Sequence, residues 1–219
     1  MDRLIELGPE FWTAAVETLY MVSLTLVLGG LLGGLIGVGL YLTRPGGMLQ
    51  NRAVSAVLNL FINFFRPIPF VILITVLIPF SRFIVGSGIG TNAAIVALVV
   101  ASMFAIGRIV EQHLVGVSPG VIEAARAMGA GPWRTLFTVV IPEALGPLIL
   151  GYTFVIVALI DMTAMAGYIG AGGLGNFALT YGRRQFEPVV MWAAVLLIVV
   201  FVHVAQTLGT RLARKVMRR

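Results

Sequence analysis

An all-α, polytopic membrane protein with about five transmembrane helices is the fold this sequence predicts, and three observations predict it. Of 219 residues, 59% are hydrophobic and 11% charged, and the mean hydropathy is +1.02; a soluble domain carries about 25% charged residues. Several continuously apolar runs reach the roughly 20 residues that a helix needs to cross the hydrocarbon core. They are not the short alternating segments of a transmembrane barrel. The basic residues behind the net charge of +6 lie at the ends of the apolar runs, most densely at Arg211, Arg214, Lys215, Arg218 and Arg219. Anionic headgroups and the positive-inside rule favour that placement, so the lipid bilayer and not a nucleic acid is the implied partner of this charge. No cysteine is present, which excludes disulfides. The start of the chain, with Asp2, Arg3, Glu6 and Glu10, lacks the basic opening and cleavage site of a secretory signal. The first apolar run is therefore expected to stay in the mature protein.

Taken in order, the first span runs from about Trp12 to Leu42 and stops at Thr43-Arg44-Pro45-Gly46-Gly47. It carries Gly29, Gly30, Gly33, Gly34, Gly37 and Gly39, a small-residue spacing that lets helix backbones approach closely. Whether the partner is another span of the same chain or a second subunit is open at this point. The second span lies within Val54 to Phe80 and is interrupted by Arg66-Pro67-Ile68-Pro69. Proline removes hydrogen bonds and an arginine is costly in lipid. Either Ser55 to Phe65 lies along the inner interface, or the span is a kinked helix lining a pathway. The third covers about Thr91 to Val115, the fourth Val139 to Ala166, and the fifth Pro188 to Leu208. Placing the carboxyl terminus inside puts Arg44, Arg52, Arg126, Arg134 and the five tail residues in the cytoplasm. Arg3, Arg82, Arg183 and Arg184 are then outside, nine against four, and the amino terminus is external. The Arg183-Arg184 pair is the one unfavourable count.

The longest cytoplasmic loop, residues 116–138, contains SPGVIEAARAMGAGPWRTLFT from Ser118 to Thr138. Ser118 is placed to cap a helix and Pro119 to occupy its first position. Val121 to Met128 makes about two turns, and Gly129 with Gly131-Pro132 ends them. A short rigid helix of this kind suits a mechanical coupler, presenting Ile122, Ala125 and Ala127-Met128 to a groove. The spacing of Glu123-Ala124-Ala125 to Gly129, Val139, Ile141 and Pro142 resembles the EAA loop of permease subunits of ATP-driven importers. In that family a short cytoplasmic helix docks onto a separate ATPase. Glu-Ala-Ala alone is a common helical tripeptide; the spacing to Gly129 and Pro142 carries the likeness. Val139 and Ile141 stand where the family usually has isoleucine and leucine.

The likeness extends from Thr18 to Gly182. The segments YLTRPGG, FRPIPF, IPFSRFIVG, IEAARAMGA, IPEAL and IGAGGLG are similar to the permease subunit of methionine importers. That resemblance implies the EAA-loop importer permease fold, with residues 1–219 as one transmembrane domain in a bacterial inner membrane. It implies a transport subunit and not an enzyme, paired with a second copy of itself over a dimer of ATP-binding subunits. ATP and Mg²⁺ would be bound there, with no cofactor in this chain, and an extracytoplasmic binding protein would deliver D- or L-methionine. Glu123, Ala124, Ala125, Arg126, Ala127, Met128 and Gly129 would contact the ATPase. Asp161, Met162, Thr163 and Met165 would line the pathway, with Met165 near the gate. Asp161 and Met162 depart from the glycine and tyrosine expected of the family, and Arg183 from a tyrosine. An aspartate deep in a span is a functional candidate unless it is paired or hydrated. It either meets the ammonium group of an amino acid, pairs with a group such as Arg108, or faces water.

Other classes fit less well. Gly170-Ala171-Gly172-Gly173-Leu174-Gly175 matches a dinucleotide fingerprint, but that motif needs a preceding strand and a following acidic residue. Here it follows an apolar span, and a tight external turn is expected. His113 and His203 are the only histidines and no cysteine supports them, so no metal site is indicated. A membrane-embedded enzyme would need buried polar groups that are scarce beyond Asp161 and Arg108. An ion-coupled secondary transporter usually shows inverted repeats, and none is evident. An importer permease for another amino acid or small polar solute is the nearest alternative.

Overall fold

Among the described residues, four helices are long and apolar enough to cross a membrane: Gly8–Thr43, Thr91–Val115, Pro132–Gly167 and Pro188–Met217. A fifth crossing is available as a bent pair, Arg52–Phe65 and Phe70–Val76, turned by 105° at the break. These come from a computed structural model that describes residues 2–217, with no strand among the described residues. Arg218 and Arg219 of the basic tail lie outside the described residues. Three of the long helices run past the apolar windows read from the sequence. The first begins at Gly8 and not near Trp12, the fourth at Pro132 and not near Val139, and the last continues to Met217. Hydropathy marks bilayer depth, whereas a helix ends only where its backbone hydrogen bonds stop. Gly8–Thr43, at 36 residues, is about 54 Å long, well beyond the roughly 30 Å of hydrocarbon.

The interruption at Arg66 to Pro69 is sharp. Asn51 caps Arg52–Phe65 by accepting from the Ala53 and Val54 amides at 3.1 and 3.2 Å. The helix closes with the Arg66 amide donating to the Ile62 carbonyl at 3.0 Å. Pro67 cannot continue the ladder, and Phe70–Val76 starts anew after Pro69. A turn of 105° is a change of direction and exceeds any proline kink.

The contacts group the chain into two units. One comprises residues 1–29, 68–102 and 155–206. Its core gathers Leu7, Ala14, Ala15, Leu174, Phe177, Val190 and Ala194, with Phe11 edge-on to Phe177 at 5.4 Å between centroids. The glycine segment after the fourth span is a tight turn here, with positive φ at Gly170, Gly172 and Gly173. Glu17 Oε2 accepts from the Gly173 amide at 2.6 Å, Thr18 Oγ1 accepts from the Leu174 amide at 2.9 Å, and Thr91 Oγ1 donates to the Ala171 carbonyl at 2.9 Å. A helix, not a strand, precedes it, so the nucleotide fingerprint lacks its structural context.

The other unit comprises residues 30–67, 103–154 and 207–219, described to Met217. Here the first and third spans approach closely. A Cβ added at Gly33 would lie 2.7 Å from the Met103 carbonyl oxygen, and one at Gly37 2.6 Å from that of Gly107. Side chains cannot occupy such gaps, which is why glycine stands there. Gly30 and Gly34 instead face Tyr152, whose hydroxyl donates to the Gly30 carbonyl at 2.9 Å. The glycine spacing is thus used within one chain.

Candidate functional site

The loop at 116–138 holds the expected short helix, at Pro119–Ala127, and from Pro132 a second helical segment that continues into the fourth span. Ser118 sits at the N-cap position, but its side chain makes no capping hydrogen bond; Pro119 occupies the first turn. The C-terminus closes as a Schellman motif. The Gly129 amide donates to the Arg126 carbonyl at 2.9 Å and the Ala130 amide to the Ala125 carbonyl at 3.1 Å. Gly129 makes this possible with φ of +81°. Both orphan carbonyls are satisfied, so the nine-residue helix is stiff despite its length.

Exposure divides the loop residues. Glu123, Ala124, Arg126, Ala127 and Gly129 are exposed, and Met128 is 83% exposed. Ala125 is 3% exposed and is the buried residue of the helix, and Ile122 is half-buried. The expectation that Ala125 faces an outside groove is therefore corrected, whereas Ile122 keeps part of its surface outward. Ala125 is the residue that seats the helix on its own chain, leaving most of its neighbours outward. Trp133 and Phe137 extend the exposed apolar surface, stacked with centroids 6.2 Å apart. Sequence reading passed over this pair; its i, i+4 spacing was the available signal once Pro132 is taken as a helix start.

The fourth-span set splits in the same way. Asp161 is exposed, Met165 is 41% exposed, and four residues apart they share one helix face; Tyr168, in the turn that follows, is exposed as well. Met162 is half-buried, and Thr163 is buried with its hydroxyl donating to the Ile160 carbonyl at 2.7 Å. Thr163 thus points away from the exposed face and into the packing. Asp161 has no ion-pair partner among the described residues. Arg108, the suggested partner, is held by Glu111 at 2.5 Å and by Asn59 at 2.8 Å. Tyr168, absent from the sequence-based set, receives a hydrogen bond from Arg183 Nη1 at 2.8 Å.

Membrane-crossing helices, one of them available as a bent pair, and a short loop helix with an outward apolar and charged surface define a polytopic membrane protein. The chain belongs to the family of binding-protein-dependent transport system inner membrane components, whose match covers residues 29–218. It is 43% identical over 204 residues to the probable D-methionine transport system permease protein MetI of Haemophilus influenzae, covering 93% of this chain and 96% of that protein. To the methionine import system permease protein MetP of Bacillus subtilis it is 42% identical over 200 residues, 91% of this chain and 90% of that one. A chain of the MetNI methionine ABC transporter, solved in inward-facing conformations, matches with a TM-score of 0.93 at 39% identity, covering 96% and 98% of the two chains.

Proposed function

We propose that this chain is the transmembrane permease subunit of an ATP-driven importer of methionine. The observation that carries the reading is near-full-length identity of about four residues in ten with methionine permeases from two distant bacteria. The chain itself performs no bond chemistry. It pairs with a second copy, sits over two ATP-binding subunits that hold ATP and Mg²⁺, and receives substrate from an extracytoplasmic binding protein. Its amino terminus is outside and its carboxyl terminus inside.

Transport is alternating access. Closure of the ATPases on ATP draws the two Glu123-to-Gly129 segments together, and the stiffness of the Schellman-closed helix carries that displacement into the spans. Only ligands that bind the two states with different affinity drive such a cycle. The exposed face bearing Asp161 and Met165 lines the passage, with Met165 at the gate. The test is uptake of labelled L-methionine into proteoliposomes containing this chain, its ATPase and the binding protein. ATP-dependent accumulation that unlabelled methionine competes away is expected. ATP hydrolysis stimulated by the binding protein without methionine entering would overturn the substrate.

A further inference from the structure

Arg66 and Arg108 meet across one cleft of about 450 Å³ that no step described so far uses. It lies wholly within the unit that contains residues 30–67 and 103–154. Arg108, Gln112 and His113 contribute from Thr91–Val115, Arg66 from the break before Pro67, and Gly151 and Phe154 from the fourth span. Three features point to a ligand. The first is charge. Arg108 is committed to Glu111 at 2.5 Å and to Asn59 at 2.8 Å, with side-chain exposures of 20% and 14% for the ion pair. The Arg66 side chain makes no hydrogen bond or ion pair among the described residues, so the cleft holds one uncompensated guanidinium.

Backbone is the second feature. Irregular backbone within a span persists only where it is buried in protein or lines a watery cavity, and discontinuous helices are where transport proteins place their substrates. The third is the lining. Arg66, Arg108, Gln112 and His113 line the cleft together with the aromatic Phe154, and a volume of this size is that of a small-molecule site. A donor-rich end next to an aromatic wall matches an amino acid with an apolar side chain. Gly151 lets the third and fourth spans pack closely beside the cleft, since a Cβ there would lie 2.6 Å from Ile109 Cγ2 and 3.0 Å from His113 Nε2.

We propose that this cleft is a transit site for the carboxylate of the imported amino acid, with Arg66 as its charge partner and Arg108 held in place by Glu111 and Asn59. The proposal rests on the importer reading above. A carboxylate crossing a low-dielectric passage without a counter-charge meets a large desolvation penalty, and Arg66 removes part of it.

The experiment compares wild type, Arg66→Gln and Arg66→Lys in complete complexes, reconstituted in parallel in purely zwitterionic vesicles and in vesicles containing phosphatidylglycerol. Arg66→Gln is expected to slow methionine uptake about tenfold, the loss for one charge-assisted hydrogen bond. ATP hydrolysis stimulated by the loaded binding protein should stay within about twofold, and Arg66→Lys should recover most of the uptake, since both rest on charge and not on fold. Equal uptake by wild type and Arg66→Gln would overturn the site alone. So would a lysine variant no better than glutamine, which assigns Arg66 to the geometry of the break. A defect confined to phosphatidylglycerol vesicles would also overturn it, the occupant then being a lipid phosphate. A wild-type complex that hydrolyses ATP and imports no methionine would overturn the importer reading, and this site with it. Should Arg66→Gln fail to assemble, Gln112→Leu carries the test: it removes one neutral donor and is expected to slow uptake about threefold, and unchanged uptake would overturn the site.

Discussion

A single carboxylate on the exposed face of the fourth span sets the sharpest test at the scale of one residue. Asp161 shares that face with Met165 and has no ion-pair partner among the described residues. A charge so placed in a span is tolerated beside water or an opposite charge. Asp161→Asn keeps the size and removes the charge. If the carboxylate receives the ammonium group of the substrate, initial methionine uptake falls about tenfold while ATP hydrolysis persists. Uptake equal to wild type would leave Asp161 a hydrated surface group. The sequence marked Asp161 because charge in an apolar run is visible without a structure. It did not separate Thr163 from Met165, two residues apart, because which side of a helix faces the packing depends on neighbours that no local pattern names.

At the scale of the element, the loop helix was legible almost to the residue. Proline at its start and glycine at its end are backbone requirements, and backbone requirements are written locally. The inward turn of Ala125 was not, since alanine serves a buried seat and an exposed face equally well. The glycines of the first span make the same point. Their spacing announced a close approach, but only the structure shows Gly33 and Gly37 against the third span and Gly30 and Gly34 against Tyr152. Two substitutions test the coupling role. Glu123 is exposed and Gly129 has open space where a Cβ would stand. Glu123→Lys therefore disturbs little folding, and Gly129→Asp adds only left-handed backbone strain of about 1–2 kcal/mol. Both place altered charge on the surface assigned to the ATPase. Transport is expected to fall at least about tenfold, as when one partner of an interfacial charge contact is removed, with membrane insertion intact. Undiminished uptake in both variants would sink the coupling assignment.

For the whole molecule, the open quantity is direction in the membrane, because helices and their spacing read the same from either side. Basic residues alone assign it, and they conflict at one place. Arg183 and Arg184 fall outside if the tail with Arg211, Arg214 and Lys215 is inside. The structure gives that exception a local use, since Arg183 bonds Tyr168 at the end of the fourth span. One engaged arginine is compatible with the overall bias, which sums over loops. The absence of cysteine makes the protein its own clean background for labelling. Ser118→Cys lies in the loop of the coupling helix and Ser87→Cys in the turn after Ile78–Val85, both at exposed positions. With the tail inside, a membrane-impermeant maleimide added to intact spheroplasts should label Ser87→Cys and reach Ser118→Cys only after lysis. Labelling in the reverse order would invert the topology and remove Glu123 from the compartment that holds ATP. The coupling and importer readings therefore stand or fall with this one orientation.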